Sequence, residues 1–152
     1  MTDNVELNSF LTGARGREWP EPAPTPDGGL VLVHEQDGFR YVDTWYGHGR
    51  FAGNVLVSES GVPVYVMQYC GRVQDLGELT VKEVLDFRKR ALASDAMADR
   101  AIDENYTEDG FTFRTWTEYQ EGSFHGEESI YHEPTRNFVY IGDFFGLYLR
   151  PE

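Results

Sequence analysis

The chain has 152 residues, enough for one domain with a continuous core, and its net charge is −13 at pH 7. That charge disfavours direct binding to a nucleic-acid backbone, because like charges repel. The first residues, MTDNVELNSF, do not predict a secretory leader, no apolar run is long enough to span a bilayer, and the single cysteine, Cys70, excludes an internal disulfide. We therefore expect a cytoplasmic protein that makes no membrane contact.

Residues 1–16 predict a short amphipathic helix, because Leu7, Phe10, Leu11 and Ala14 follow the three- and four-residue spacing of one helix face. Residues 17–29 are rich in proline, which favours an extended connector on the surface over a helix or an interior strand. A proline-rich ligand for a partner is the alternative interpretation. The stretch EWPEPAPTPDGG contains no basic residue, so a spacer is preferred.

Residues 30–73 predict a first β unit, in which a short strand and a hairpin turn at 36–38 lead into three longer strands. The sequence FRYVDTW alternates from Phe39 onward, so Tyr41, Asp43 and Trp45 share one face of their strand. An acid on an otherwise aromatic face is the most informative irregularity of the chain.

Two further features of this unit bear on its packing. Cys70 ends an apolar run, MQYCG, and is expected to be a small buried side chain. Pro63 should lie at the start of the last strand, where its missing N–H does no harm.

Residues 80–101 predict a second helix. Thr80 and Glu83 form a capping box, in which each side chain satisfies a free backbone N–H of the first turn. The apolar stripe that follows indicates a helix to about residue 96, with a further turn to 101 as an option. The next residues, DENYTEDG, are interpreted as a loop that leads into residues 110–149.

Residues 110–149 predict a second β unit that resembles the first. Phe39 and Phe111 are separated by 72 positions, Phe51 and Phe124 by 73, and Tyr69 and Phe144 by 75. The offset grows only where loops are expected, as in a duplicated three-strand unit. The alternative is a chance likeness between two aromatic meanders. Gly142 and Gly146 in the final strand indicate a bend or bulge.

Together these elements predict an α+β fold that forms one domain over residues 1–152. Its sheet is expected to be mostly antiparallel and curved, built from an internal repeat of three-strand units. The N-terminal helix and the central helix are expected to pack on that sheet. An exposed final strand could pair with a second copy of the chain, so a homodimer is an option.

Several short motifs in order carry a family likeness. They are Phe10-Leu11, YVDTWYG at 41–47, Phe51-x-Gly53, PVYVMQYCGRV at 63–73 and FHGEESIY at 124–131. With them the chain resembles the bacterial family known as domain of unknown function 5680. The resemblance covers most of the chain and implies a bacterial cytoplasmic sensing or binding module.

The chain departs from the family at two points. The family pattern favours Glu after the first Phe-x-Gly, where this chain has Asn54, whereas the second copy keeps Glu127. The family domain also occurs behind a helix-turn-helix regulator, and no helix-turn-helix is predicted from these residues. The resemblance therefore implies a stand-alone version.

The candidate ligand-binding residues are mostly aromatic, because Tyr and Trp offer flat apolar area with a polar tip. A carboxylate beneath such rings could fix a cationic or hydroxylated ligand. The alternative is that the rings form the core between helix and sheet and that a neighbouring Arg or N–H holds Asp43. The set, with its counterparts in the second copy, is Tyr41, Asp43, Trp45, Tyr46, Tyr69, Trp116 and Glu127.

No cofactor or metal site is predicted. His125, Glu127, Glu128 and His132 lack the spacing of a helical zinc site and are interpreted as solvated polar residues near a turn. No glycine-rich phosphate loop follows a strand and opens a helix, and no nucleophile elbow is found, so no catalytic residue is assigned.

Three functions remain open. The preferred one is a non-enzymatic sensing module that binds a small molecule or a protein partner, both of unknown identity. The second is an acidic inhibitor that mimics nucleic acid and binds a basic protein. The third is a hydrolase with Asp43 or Glu127 as general base.

Overall fold

The computed structural model describes residues 6–11, 21–94 and 104–150, which form an α+β fold of nine antiparallel strands and two helices. Residues 6–11 lie in the first helix, α1, and Val81–Ala93 form the second, α2. The strands are β1 Ala23–Pro24, β2 Leu30–Gln36, β3 Phe39–Gly47, β4 Arg50–Glu59, β5 Val62–Val73, β6 Glu104–Glu108, β7 Phe111–Gln120, β8 Ser123–His132 and β9 Asn137–Tyr148.

The strands form a single sheet in the order β1-β2-β3-β4-β5-β9-β8-β7-β6. Each half is a meander of hairpins, and the halves join where β5 pairs with β9, with Tyr69 opposite Phe144 at the centre. The final strand, β9, therefore lies inside the sheet, hydrogen-bonded to β5 on one side and β8 on the other. The expectation of an exposed final strand that pairs with a second copy is wrong.

Tight turns set the register of several hairpins. Asp37 and Gly38 both have positive φ, at 53° and 83°, as a two-residue type I′ turn requires. Asp109 and Gly110 repeat this conformation at 50° and 81° between β6 and β7. Both pairs of strands thereby acquire the twist that a large antiparallel sheet needs.

Both helices cover the same face of the sheet, which we call the helix face; the opposite face is called the far face. Phe10 of α1 stacks on Phe39 with ring centroids 5.0 Å apart. Phe87 of α2 stacks on Phe111 at 5.1 Å. Two core clusters result, one that joins α1 to the first half of the sheet and to Phe124 and Phe144 of the second, and one between α2 and the second half.

The second helix begins as the capping box predicts. The Glu83 backbone N–H donates to the Thr80 hydroxyl at 3.2 Å, and the Thr80 backbone N–H donates to the Glu83 carboxylate at 2.7 Å. The helix ends at Ala93, and its expected continuation to residue 96 or 101 falls largely outside the described residues. Among those residues no helix combines the length and apolar character needed to cross a membrane.

The structure corrects three local predictions. Residues 104–108, expected as a loop, form the edge strand β6, because a polar strand at a sheet edge needs no alternation of apolar residues. Cys70 is exposed rather than buried, since Tyr69 and Gly71 occupy the helix face on either side of it.

The third correction concerns the bulge expected at the glycines of β9. The strand is paired continuously past both of them, and the irregularity in its ladder with β8 lies elsewhere, between Ile130 and Tyr131. Gly142 and Gly146 leave room for rings, because a Cβ at either position would lie 2.4 Å from the Tyr140 hydroxyl or the Phe124 ring, respectively.

Candidate functional site

A cavity of about 310 Å³ lies on the helix face between the first half of the sheet and α2. Strands β3, β4 and β5 supply its aromatic and aliphatic floor, and α2 supplies one wall. The lining residues are Pro22, Leu32, Tyr41, Asp43, Trp45, Gly47, His48, Phe51, Val55, Met67, Tyr69, Leu85, Arg88, Lys89, Leu92 and Glu128. This volume is at the small end of the range for ligand sites.

Asp43 and Tyr69 form the first polar contact of the cavity. The Tyr69 hydroxyl donates to Asp43 Oδ1 at 2.5 Å across two strands. Burial, and next the charge of Asp43, raise the pKa of Tyr69 well above its usual value. The phenol therefore remains a hydrogen-bond donor, and it holds the carboxylate in one orientation.

Gly53 explains why the Tyr69 ring can lie flat over β4. A Cβ at this position would be 2.3 Å from the Tyr69 hydroxyl and 2.8 Å from the backbone oxygen of Thr44. The ring of Phe51 meets that of Tyr69 edge to face, with centroids 6.2 Å apart. The floor of the cavity is thus a set of aromatic rings fixed by packing.

Arg88 forms the second polar contact together with Glu128 and Tyr140. Its Nη2 donates to Glu128 Oε1 at 2.7 Å and its Nε donates to the Tyr140 hydroxyl at 3.1 Å. The guanidinium carbon also lies 5.3 Å from the centre of the Phe51 ring. The side chain of Arg88 is 19% exposed and that of Glu128 only 2%, so the ion pair is largely removed from water.

The contact between Arg88, Glu128 and Tyr140 shifts the pKa values of Arg88 and Tyr140. Burial alone would lower the pKa of Arg88, but the attraction of Glu128 and then Tyr140 outweighs burial and raises it. Burial and then the charge of Glu128 raise the pKa of Tyr140. Arg88 is therefore a permanent cation in the cavity wall.

Four of the seven predicted ligand-binding residues line the cavity, namely Tyr41, Asp43, Trp45 and Tyr69. The other three lie on the far face. Tyr46 donates a hydrogen bond to Asp27 at 2.6 Å, and Trp116 donates through Nε1 to Glu127 at 3.1 Å. The sequence therefore identified one side of the cavity, together with residues of the other sheet surface.

The predicted polar cluster of the second β unit is divided between the two faces. His125 and Glu127 are exposed on the far face, whereas Glu128 and His132 are buried on the helix face. Within the described ranges no group of three His, Cys, Asp or Glu side chains is arranged to hold a metal ion.

Sequence reasoning missed the cavity residues of α2 and β8, although both carried a signal. Arg88 lies four residues after Val84 and three before Ala91, inside the buried stripe of its helix. Glu128 alternates with buried residues along β8, between Gly126 and Ile130. A cation on one apolar face and an acid on another indicate a buried ion pair.

Comparison with known proteins gives one match. No curated protein and no solved structure matches the chain significantly. The model of one family, described as a domain of unknown function (DUF5680), matches residues 43–148, a region that includes most of the cavity residues. Because this region is more than half of the chain, the protein belongs to the DUF5680 family.

Proposed function

We propose that the protein is a non-enzymatic module that binds a small molecule in the cavity between α2 and the first half of the sheet. The observation that carries this proposal is the grouping of Tyr41, Asp43, Trp45 and Tyr69 around one space of about 310 Å³. Largely apolar walls with a few fixed polar groups are typical of ligand sites.

The preorganisation of the polar groups supports the same conclusion. Tyr69 orients Asp43, and Glu128 with Tyr140 orients Arg88. A side chain that is already held in place loses little entropy when a ligand binds. Such a cavity suits selective recognition.

A fragment screen against a cavity-filled variant tests the proposal. Leu85→Trp adds a large ring to the α2 wall, and Val33→Trp adds the same ring on the exposed far face as a control. Fragments would be ranked by the increase in melting temperature of the unmodified protein and by ligand-observed NMR. We expect hits that bind the unmodified protein and the Val33 variant but not the Leu85 variant.

Two results would contradict the proposal. One is a screen in which no fragment binds the folded protein, and the other is a set of hits that bind the Leu85 variant equally well. Circular dichroism of both variants shows whether each is folded.

We also infer that the two halves of the chain are copies of one unit. The strand registers support this: Tyr41 pairs with Val57 as Phe113 pairs with Ile130. These pairs are related by the offsets of 72 and 73 positions that relate the sequences. An ancestral unit that paired with itself along β5 would give this symmetric sheet.

The packing supports the same inference and extends the copied unit to the helices. Phe10 on Phe39 corresponds to Phe87 on Phe111, with nearly equal spacing. Gly53 lies beneath Tyr69 as Gly126 lies beneath Phe144. On this basis each unit consists of one helix and four strands, β2–β5 in the first half and β6–β9 in the second, and the short strand β1 is additional to the first unit.

We also propose that the protein acts in the cytoplasm. The single thiol, Cys70, is exposed, and an unpaired exposed thiol is typical of a reducing compartment. A secreted protein would meet oxidants that modify such a group.

A further inference from the structure

Opposite charges line the cavity on the two sides of its aromatic floor. The carboxylate of Asp43 lies against the hydroxyl of Tyr69. Arg88 lies beyond the neighbouring ring, with its guanidinium carbon 5.3 Å from the centre of Phe51. Lys89, the next residue of α2, is exposed and also lines the cavity. Asp43 therefore marks one side of the cavity, and Arg88, which is paired with Glu128, marks the other side together with Lys89.

The charges that line the cavity balance. Two carboxylates, Asp43 and Glu128, stand against two basic side chains, Arg88 and Lys89, with His48 as a further polar group. A ligand of net charge would leave an excess charge in a partly dehydrated space, which is costly. A ligand that carries one charge of each sign meets a complementary group on each side.

Arg88 retains donor capacity for such a ligand. A guanidinium carries five N–H groups, and the bonds to Glu128 and Tyr140 engage Nη2 and Nε. A carboxylate of a ligand would find a rigid cation whose geometry favours planar anions. Lys89 adds a second, mobile cation at the same side.

A comparison of the two halves independently supports a role of the Arg88–Glu128 pair in ligand recognition. Under the proposed repeat, Arg88 corresponds to Leu11 and Glu128 to Val55, and both counterparts are buried apolar residues. The first half thus packs without charges at these places. A buried ion pair contributes little net stability, so we look to recognition for the reason that the second half carries one.

We propose that the cavity binds a small zwitterion, with the ammonium group of the ligand at Asp43 and its carboxylate at Arg88 and Lys89, and an apolar or aromatic body over the rings of Phe51 and Tyr69. This inference rests on the proposed function and names its ligand class. Amino acids and aminomethyl aryl acids belong to that class.

Six probes in two matched series test the ligand class by isothermal titration calorimetry. One series is L-phenylalanine, phenethylamine and 3-phenylpropionate, and the other is 4-(aminomethyl)benzoate, benzylamine and benzoate. We expect one zwitterion to bind at least about tenfold more tightly than either singly charged member of its series, since each singly charged member lacks one of the two charged hydrogen-bonding groups.

Two variants assign the charges. Asp43→Asn keeps an acceptor for Tyr69. It should weaken the binding of the zwitterion and of the amine by about tenfold and leave the binding of the acid unchanged. Lys89→Gln should weaken the zwitterion and the acid. Lys82→Gln is a control on the same helix, since Lys82 pairs with Asp86 in solvent. It should leave the affinities for the zwitterion and for the acid unchanged.

The proposal is overturned if the singly charged probes bind as tightly as the zwitterions, or if Asp43→Asn leaves the zwitterion unaffected. It is also overturned if none of the six probes binds the folded protein. The fragment screen with the Leu85 variant separates these results from a failure of the proposed function. If only the ligand class is wrong, fragments of another class would still bind the cavity of the unmodified protein and not the Leu85 variant.

Discussion

At the scale of single residues, the contact between Tyr69 and Asp43 controls both the shape and the charge of the cavity. Burial keeps the phenol protonated in the folded protein, with a pKa raised above the ordinary value of 10.0. In the unfolded chain the phenol ionises near that ordinary value. The folded state therefore holds its proton over a pH range in which the unfolded state has lost it.

This difference predicts a loss of stability at high pH. Ionisation of Tyr69 should leave the free energy of unfolding unchanged below about pH 10. Above that pH it should lower the free energy of unfolding by up to about 1.4 kcal/mol per pH unit. Tyr69→Phe removes the ionisable group. We expect chemical denaturation at pH 9 to 11 to show a shallower decline for this variant than for the unmodified protein; equal declines would contradict the argument.

Gly53 should tolerate no side chain. Gly53→Ala places a Cβ 2.8 Å from the backbone oxygen of Thr44 and against the Tyr69 ring, so the ring must move away from Asp43. We expect a loss of about 1–3 kcal/mol in the free energy of unfolding, measured by denaturant titration.

Gly49→Ala provides the control for this substitution. There the nearest atoms to the new Cβ belong to Val81, at an ordinary 3.5 Å. We expect a change within about 0.5 kcal/mol. If both alanine variants lose the same stability, the close approach of Tyr69 is not the cause.

Three of the four cavity residues that sequence reasoning found, Tyr41, Asp43 and Trp45, were marked by strand alternation, whereas Tyr69 was grouped with them by residue type. FRYVDTW places Asp43 among aromatic residues on one face, and the cavity lies on that face. Tyr46, Trp116 and Glu127 were grouped with them by residue type, yet strand alternation puts these side chains on the far face. Residue type without the face of the strand is a weak guide to a site.

At the scale of elements, α2 is both a cover for the second core and a wall of the cavity. Val84, Phe87 and Ala91 are buried against the sheet, while Arg88 and Lys89 reach the cavity from the same helix. The capping box and the apolar stripe predicted this helix from local sequence. Its ion pair with β8 joins residues 40 positions apart, a distance over which local patterns carry no information.

The ion pair leads to a prediction about α2 and β8. Glu128→Val leaves Arg88 without its acid in a largely buried place and should cost about 3–5 kcal/mol. The triple variant Arg88→Leu, Glu128→Val, Tyr140→Phe removes all three polar groups and gives this half apolar residues like Leu11 and Val55 of the first half. We expect its stability to lie within about 1 kcal/mol of that of the unmodified protein.

Chemical denaturation of the single and triple variants measures this difference. A triple variant as unstable as the single variant would show that the two halves do not pack alike at these positions. That result would count against the internal repeat, and calorimetry with the zwitterions would separately show whether Arg88 is needed for binding.

Strand prediction succeeded where turns and alternation were clear and failed at one edge. The turn at Asp37-Gly38 and the alternation of β3 are encoded within a few residues. Residues 104–108 were missed because their pairing depends on β7, which follows them in the chain. The position of β9 inside the sheet also depends on pairing with β5, which no local pattern reveals.

At the scale of the whole molecule, the net charge of −13 is the largest electrostatic feature. Self-repulsion of like charges disfavours the compact state. Raising the ionic strength from about 0.01 M to about 0.15 M with NaCl shortens the screening length from about 30 Å to about 8 Å. We expect the melting temperature at pH 7 to rise over this range, as measured by calorimetry.

An unchanged or lower melting temperature would show that local ion pairs outweigh the overall repulsion. A repetition at pH 5, where the net charge is smaller, serves as the control. There the same increase in salt should have less effect.

The cavity lies between strands of the first half and the helix of the second, so a ligand bound there would contact both halves at once. The halves could not separate without releasing such a ligand, so the proposed binding would make the unfolding free energy increase with the concentration of free ligand. Proteases act on opened chains, so a cell rich in the ligand would degrade this protein more slowly. The cellular level of the protein would then rise with the concentration of its ligand, without any reaction being catalysed.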